Sequence, residues 1–187
     1  MKFGGITLGG KLGGWNIINQ PATSLPQALA SAKPILFGST FTPIWLVADQ
    51  IVNGTNYLLV AEAVSTTLKT IKRIVGIIVN IPAGSFDGEG AKVVEVIEDD
   101  ELVEGTDPED KVKEYFDSII EPAGEKLTGV GITPVLYMGK KVTKGVNHVV
   151  VAQRRMISSD ADPEALIIEF NVFNGKATLY SMEKIGV

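Results

Sequence analysis

Two stretches of this chain repeat one pattern, and that pattern sets the expected fold. Residues 53–61 read NGTNYLLVA and residues 144–152 read KGVNHVVVA, so a turn ending in glycine leads into a run of β-prone residues each time. Further upstream, TPIW at 42–45 is echoed by TPVL at 133–136. The second member of each pair stands 91 residues after the first. Two separate matches at one offset predict two tandem copies of a single unit.

Each copy is expected to begin with a helix. In copy one, a cap at Ser24 is followed by apolar residues at helical spacing, and Pro34 ends or kinks the helix. The apolar residues on this predicted face are Leu25, Leu29, Ala32 and Leu36. In copy two, Asp107-Pro108 is a helix-start signature, and apolar residues follow at the i, i+3, i+4 spacing until Pro122. Both apolar stripes are expected to pack in the core.

Strands are expected to follow each helix. Hydrophobic runs bounded by Gly, Pro and Asn predict four strands in each copy. They span 42–51, 57–65, 70–80 and 92–97 in copy one, and 133–142, 147–156, 164–173 and 177–182 in copy two. Turn pairs such as Asn53-Gly54 and Asn174-Gly175 join consecutive strands as hairpins. We therefore predict an α+β fold of two units, each with one helix packed on an antiparallel sheet of about four strands.

The distribution of glycine and charge suggests where the units begin and end. Residues 1–13 are rich in glycine and are interpreted as a flexible tail. Residues 93–110 hold nine acidic and no basic side chains, a pattern typical of a solvated face or a linker. A boundary near residue 105 follows, with copy one at 14–104 and a diverged copy two at 107–187.

Composition excludes several classes of function. The chain has no cysteine, so disulfides, thiolate catalysis, cysteine-ligated zinc and iron–sulfur clusters are excluded. Its single histidine, His148, falls on a predicted strand face, and no multi-histidine metal site is possible. A net charge of −5 argues against nucleic-acid binding, and no apolar run is long enough to span a membrane. We expect a soluble, cytoplasmic protein that needs no cofactor or metal and is not an enzyme, since the N-terminus lacks a signal-peptide core.

The strand that begins at Tyr57 is apolar on both of its faces. Its two alternating sets, one with Tyr57 and Leu59 and the other with Leu58 and Val60, both lack the polar residues of a sheet face that meets water. The second copy repeats this with Val149 and Val151. We expect the second face to be covered by the other copy or by another chain, so a homo-oligomer formed through the sheet faces is possible.

The sequence around the first turn resembles a known family. Residues 50–57 read QIVNGTNY, which is similar to the Gln-x-Val-x-Gly hairpin of the cystatin superfamily, and most of all to the stefins. Residues 20–23 resemble the segment before the stefin helix, and Gly14 stands seven residues before Pro21, where stefins keep a glycine. Ile81-Pro82 lies where stefins carry Leu-Pro, and residues 99–102 resemble the stefin C-terminal stretch.

This resemblance implies a reversible, non-covalent inhibitor of papain-like cysteine proteases. Such inhibitors plug the active-site cleft with a wedge of three segments. Carried over, the wedge consists of Gly14, Gln50, Ile51, Val52, Asn53, Gly54, Ile81 and Pro82. The physical reading agrees, since Asn53 and Gly54 both tolerate positive φ and the apolar pair Ile51 and Val52 could be buried in a cleft.

Copy two departs from the motif, and other functions stay open. It reads KVTKG at 141–145, so the glutamine and valine are lost and Lys141 and Lys144 would be costly to bury. Inhibition is therefore assigned to copy one alone. The alternative is a cystatin-fold interaction or assembly module without inhibitory activity, in which Asn53-Gly54 and Pro82 are plain turn residues and Gly14 belongs to the tail.

Overall fold

The computed structural model describes residues 15–31, 35–36, 39–65, 70–97, 112–126, 129–157 and 161–186. Within these ranges the chain forms two compact units. The first unit holds residues 15–97 with 185–186, and the second unit holds residues 112–184. Several features predicted from sequence lie outside the described residues: the tail at 1–13, Gly14, Ala32 and Pro34 of the first predicted helix, the stefin-like stretch at 99–102, the boundary near residue 105, and the helix start at Asp107-Pro108.

The described part of the first unit is an antiparallel sheet of six strands. Their bounds are β1 Asn16–Pro21, β2 Ile35–Leu36, β3 Ser39–Val52, β4 Gly54–Ser65, β5 Lys72–Ile81 and β6 Lys92–Ile97. The strand order is β1-β3-β4-β5-β6, and β2 pairs with β3. One face of this sheet packs around Leu29, which comes from the short helix α1, Gln27–Ser31.

The second unit consists of a helix and a four-stranded antiparallel sheet. Helix α2 spans Val112–Lys126 and continues through Pro122, which was expected to end it. The strands are β7 Val130–Thr143, β8 Gly145–Met156, β9 Glu164–Phe173 and β10 Lys176–Ile185, in the order β10-β9-β8-β7. The helix buries Phe116 against Phe170 of β9, with the rings edge to face at 6.5 Å. This packing is the helix-on-sheet core that the apolar stripe predicted.

The predicted α+β class, with one helix covering each sheet, is wrong. The described chain is mostly antiparallel β, and α2 is its one substantial helix. Helix α1 has only five residues, and Leu36, placed on its face from sequence, belongs to β2. The physical reason lies in the two prolines that bracket it, Pro26 and Pro34. Helix nucleation is costly and proline blocks propagation, so a segment this short cannot become a covering helix.

The strands follow the sequence prediction closely, and the 91-residue offset recurs in their pairing. All eight predicted strands are present, several of them longer than predicted, and β1 and β2 are additional. The bounds of β7 and β8 are those of β3 and β4 moved by 91 residues. The register shift between Pro43 and Trp45 recurs between Pro134 and Leu136. The repeat therefore includes matching β-bulges or irregularities in strand pairing, which a comparison of the two sequences alone does not reveal.

Both faces of the central strands are buried. Leu58, Leu59, Val60 and Ala61 are consecutive in β4 and each is 0% exposed. Leu59 and Ala61 lie in the core cluster around Leu29, so the face that carries them is covered within the first unit. Formation of a homo-oligomer through sheet faces stays a prediction.

Candidate functional site

The hairpin between β3 and β4 carries the central segment of the predicted wedge, and we call residues 50–54 the first tip. Val52 pairs directly with Gly54, which leaves Asn53 alone at the turn. The side chain of Ile51 is 86% exposed and that of Val52 is 44% exposed. Removing large aliphatic side chains from water is favourable, so this end of the sheet exposes apolar surface that a partner could bury.

Gly54 brings the first tip against the end of β5. Its φ is +104°, and a Cβ at this position would lie 2.2 Å from the carbonyl oxygen of Ile81 and 3.0 Å from Cα of Pro82. Only glycine fits so close an approach. Of the two turn residues that tolerate positive φ, Gly54 adopts it and Asn53 does not. The structure thus places 50–54 and 81–82 side by side, two of the three predicted wedge segments.

Side-chain amides hold the first tip to its neighbouring strands. Asn80 Nδ2 on β5 donates to Asn56 Oδ1 on β4 at 2.8 Å, and Asn56 Nδ2 donates to Gln50 Oε1 on β3 at 3.2 Å. Gln50 is thus engaged within the sheet. The three amides cross-link three strands directly beneath the exposed residues, which lowers the entropy that the tip would lose on binding.

The loop after β5, residues 82–91, changes the role expected for Ile81. The Ile81 side chain is 4% exposed and belongs to the core of the first unit, so it supports the tip and offers no contact surface. Pro82 is half-buried, whereas Phe86 is 84% exposed. Sequence reasoning missed Phe86, although an aromatic residue between Gly84 and Gly88 in a turn-rich loop is itself a signal.

Internal hydrogen bonds fix the shape of this loop. Ser85 N donates to the Pro82 carbonyl at 3.2 Å, and Ser85 Oγ donates to the Glu89 carbonyl at 2.8 Å. Asp87 Oδ1 accepts from Glu89 N at 3.0 Å. The loop encloses an open depression of about 520 Å³ beside Phe86. Phe86 is therefore displayed on an ordered support.

The N-terminal arm of the predicted wedge is described only from Trp15 onward. Asn16, at the start of β1, pairs with Asp49 of β3, and its Nδ2 donates to Asp49 Oδ1 at 3.1 Å. This position lies one residue before the first tip along β3. The chain therefore enters β1 at the tip end of the sheet. Gly14 itself lies outside the described residues.

The second unit has an equivalent hairpin, and we call residues 141–145 the second tip. Gly145 has φ +100°, and a Cβ there would lie 2.5 Å from the Val172 carbonyl oxygen. Beneath it, Asn171 Nδ2 donates to Asn147 Oδ1 at 2.6 Å. Asn147 and Asn171 stand 91 residues after Asn56 and Asn80, so a longer comparison of the two copies would have found this amide pair.

The second tip differs from the first in what it exposes. Val142, the equivalent of Ile51, is 79% exposed. The Lys144 ammonium lies 5.7 Å above the centre of the Phe173 ring. This cation–π interaction stabilises the ammonium in that position. Lys141 is also exposed. This tip combines one aliphatic side chain with two cationic ones.

The remaining polar groups of the described ranges include a buried histidine and no cluster of metal-ligating side chains. His148 is 2% exposed, stacks on Phe170 with centroids 5.2 Å apart, and has Nδ1 3.0 Å from the Tyr137 hydroxyl. Across the described residues, no three His, Asp or Glu side chains are grouped so that they could hold a metal ion. The same residues include no helix with the length and apolarity needed to cross a membrane.

One ion-pair cluster lies away from both tips, on the second sheet. Glu164 is bonded to Arg154 and, at 2.9 Å, to Lys184. The hydrogen bond from Lys184, followed by that from Arg154, lowers the pKa of the Glu164 carboxyl below its ordinary value. This cluster links β8, β9 and β10, and nothing about it points to a reaction.

Comparisons with known proteins assign no family to this chain. No protein-family model, no curated protein and no solved structure matches it. Among the described wedge residues, the structure brings together Gln50, Ile51, Val52, Asn53, Gly54 and Pro82, and it buries Ile81.

Proposed function

We propose that this chain is a reversible, non-covalent inhibitor of papain-like cysteine proteases and that the first tip enters the active-site cleft. The observation that carries the proposal is the exposure of Ile51 on a hairpin that Gly54 fixes against the end of β5. The resemblance of residues 50–57 to the cystatin hairpin supplies the target class. A covering helix is not required, since the proposed contacts all come from one end of the sheet.

The energetics of the first tip suit a cleft. Complete burial of Ile51 and Val52 would contribute about 1.5–3 kcal/mol each. Phe86, next to Pro82 on the neighbouring loop, adds an aromatic side chain of the kind that dominates protein interfaces. Because the amides of Gln50 and Asn56 already hold the hairpin, little of this gain is lost to ordering.

Charge supports the choice of the first tip over the second. Residues 50–54 of the first tip carry no charge, and Asp87 and Glu89 lie in the neighbouring loop. At the second tip, Lys141 precedes Val142 directly and Lys144 follows it two residues later. A lysine forced into a closed cleft without a carboxylate partner costs several kcal/mol. The first tip can therefore be buried with its charges left in solvent.

The experiment is a titration of an active papain-like protease with the full chain and two matched variants. Ile51→Asp places a charge on the exposed aliphatic position of the first tip, and Val142→Asp places the same charge on the equivalent position of the second tip. We expect Ile51→Asp to weaken inhibition by well over tenfold, since the carboxylate would be buried. Val142→Asp should inhibit as the native chain does. Native protein in large excess that leaves the protease fully active would contradict the proposal.

A second function is favoured by one observation, the exposure of an aliphatic side chain on both tips. Val142 is 79% exposed although copy two has lost the cystatin-like motif. Exposed aliphatic residues on both tips suit an interaction or assembly module that inhibits nothing. This second function predicts that the protease remains active in the complex, or that Ile51→Asp and Val142→Asp weaken the complex equally.

A further inference from the structure

Two Asn-Gly pairs occur in this chain, Asn53-Gly54 in the first tip and Asn174-Gly175 between β9 and β10. In such a pair the glycine nitrogen can attack the side-chain carbonyl carbon of the asparagine, since glycine has no side chain to hinder the close approach. The outcome is deamidation, in which the side-chain amide becomes a carboxylate. Both asparagines are exposed, so water reaches each of them.

The two glycines differ in how closely they are packed. Gly54 is half-buried, and a Cβ at this position would lie 2.2 Å from the Ile81 carbonyl oxygen. Gly175 is exposed, and among the described residues no heavy atom other than those of its chain neighbours lies within 4 Å of the equivalent point. Ring closure must rotate the peptide between asparagine and glycine, so the turn has to open locally first. At Gly54 this rotation disturbs the packing on Ile81, whereas at Gly175 it meets only solvent.

The backbone of Asn174 also favours opening. Its φ is +50°, in the left-handed region, whereas Asn53 does not adopt positive φ. Asparagine tolerates this region better than most residues, but the conformation is still less favourable than right-handed or extended backbone. Opening the turn at Asn174 therefore releases an unfavourable conformation, which lowers the free energy of opening there.

Positive charge surrounds the second Asn-Gly pair. Lys176 follows the pair directly, and the Lys144 ammonium lies 5.7 Å above the ring centre of Phe173, the residue before it. Residues 170–182 contain no acidic side chain. The attacking nitrogen is negative once it has lost its proton, and ring closure moves that charge onto the side-chain oxygen. Neighbouring ammonium groups stabilise negative charge at both atoms.

We propose that Asn174 is a site of spontaneous deamidation in the folded chain and that the fold protects Asn53 from the same reaction. The Gly175 nitrogen loses its proton and forms a bond to Cγ of Asn174. The bond from Cγ to Nδ2 then breaks, and ammonia leaves with a proton. Water opens the resulting five-membered imide at either of its two ring C–N bonds, which gives aspartate or isoaspartate. The only co-reactant is water.

The reaction changes the surface of the second unit and leaves the first tip as it is. A new carboxylate appears beside Phe173, at the end of the sheet that carries Lys144 and Lys176. Isoaspartate also lengthens the main chain of a two-residue turn by one carbon. The first tip keeps the uncharged, unlengthened hairpin that the approach of Gly54 to Ile81 requires. The proposed inhibition by the first tip is therefore independent of this reaction.

The first test follows both asparagines by peptide-mapping mass spectrometry while the full chain is incubated near neutral pH at physiological temperature. We expect the Asn174 peptide to gain the mass of an amide-to-acid conversion at least about tenfold faster than the Asn53 peptide, a ratio that requires about 1.4 kcal/mol between the two barriers. An isoaspartate-specific methyltransferase gives a second readout. Asn174→Gln should remove the fast reaction, because glutamine would have to close a larger ring.

The second test separates the effect of the fold from that of the local sequence. In the same chain unfolded in urea, both pairs should react at similar rates, because the packing of Gly54 is lost. In the folded chain, Lys176→Gln should slow the reaction at Asn174 by about twofold, since one exposed and screened ammonium is removed. Lys113→Gln, on the exposed side of α2, is the matched control and should change nothing.

Three results would overturn these assignments. Equal rates at Asn53 and Asn174 in the folded chain would show that the packing of Gly54 gives no protection. A folded chain that reacts at neither site, while the unfolded chain reacts at both, would show that the Asn174 turn stays closed. A rate that Lys176→Gln and Lys113→Gln leave equally unchanged would contradict the role given to the neighbouring lysines.

Discussion

The two hairpin tips share a backbone and differ in surface. Gly54 and Gly145 have φ values of +104° and +100°, and each approaches the carbonyl of a neighbouring strand too closely for a Cβ. Above these frameworks, the first tip exposes Ile51 with Val52, whereas the second exposes Val142 between lysines. The backbone irregularity is thus kept while the contact surface changes. The comparison teaches that the framework specifies a hairpin, and that recognition depends on the side chains placed on it.

The loops beside the tips differ even more. In the first unit, β5 and β6 are joined by residues 82–91, and Phe86 projects from them. In the second unit, β9 and β10 are joined by Asn174 and Gly175, whose φ values of 50° and 73° are those of a two-residue hairpin turn. Among the described residues, a second exposed segment beside the tip is thus present in the first unit, whereas the second unit has a two-residue turn there.

The largest expected effect comes from breaking the shared framework. Gly54→Val would place its Cβ 2.2 Å from the Ile81 carbonyl oxygen in a backbone conformation that β-branched residues resist. We expect a loss of about 3 kcal/mol or more in the free energy of unfolding, measured by chemical denaturation. Inhibition should fall by well over tenfold.

The matched control for Gly54→Val is Gly145→Val in the second tip. The geometry there is similar, so the loss of stability should also be similar. Inhibition by the folded fraction should be retained. Equal loss of inhibition in the two variants would contradict the assignment of function to the first tip.

Removing the amide pairs beneath the tips should have the next largest effect. The loss in the free energy of unfolding should be greater in the second unit. Asn171 is 5% exposed and donates to Asn147 Oδ1 and to the Lys144 carbonyl, whereas Asn80 is only half-buried. Asn171→Ala should lower the free energy of unfolding by about 1–3 kcal/mol and Asn80→Ala by about 0.5–1.5 kcal/mol. Chemical denaturation measures both. The reverse order would show that burial does not set the strength of these pairs.

Phe86 tests whether the loop beside the first tip takes part in binding. Because its side chain is 84% exposed, Phe86→Ala should leave the melting temperature nearly unchanged. It should weaken inhibition by about fivefold to tenfold, which corresponds to about 1–1.4 kcal/mol of lost contact. Phe173→Ala, in the second unit, is the control and should leave inhibition intact. An inhibition constant unaffected by Phe86→Ala would restrict the binding surface to the hairpin.

The smallest effect concerns an ion pair found in the second unit only. Arg154 and Glu164 pair across β8 and β9, and the residues 91 positions earlier are Ala63 and Arg73. Because the Glu164 pKa is lowered in the folded chain, its contribution is present above the usual glutamate pKa of about 4.3. That contribution is lost as the pH falls through the lowered value.

Glu164→Gln measures this contribution. The variant should be less stable than the native chain by about 0.2–1 kcal/mol at pH 7, since the pair is partly exposed. The difference should vanish once the pH is below the folded pKa. A difference that grows on acidification would reverse the sign of the linkage and contradict the bonding described for Glu164.

Strands, turns and the repeat could be predicted from sequence because they depend on local patterns. Hydrophobic runs such as 57–65 and turn pairs such as Asn174-Gly175 specify strand positions over a few residues. The first helix could not be predicted in the same way. The cap at Ser24 and the apolar spacing through Leu36 indicated a helix, whereas the two prolines oppose one. Propensity predicts a helix poorly when so few residues are available to propagate it.

Sequence reasoning placed the first tip on a hairpin, but it did not predict the burial of Ile81 or the exposure of Phe86. Ile81 was placed in the wedge by resemblance, although the alternation of Ile77, Val79 and Ile81 puts all three on the core face of β5. Phe86 was missed because exposure of a loop residue depends on the fold of the loop. Close backbone approaches, such as that of Gly54 to Ile81, arise from tertiary packing and leave only a glycine in the sequence.

The measurement that tests the central claim most directly is the stoichiometry of binding to active-site-counted protease. We predict one protease per native chain. Transferring the first-tip sequence to the second tip, by Lys141→Gln, Thr143→Val and Lys144→Asn, should raise this to two, because the framework is already present there. A native ratio of two, or a ratio of one that is abolished by changing Lys141 but not Ile51, would contradict the account.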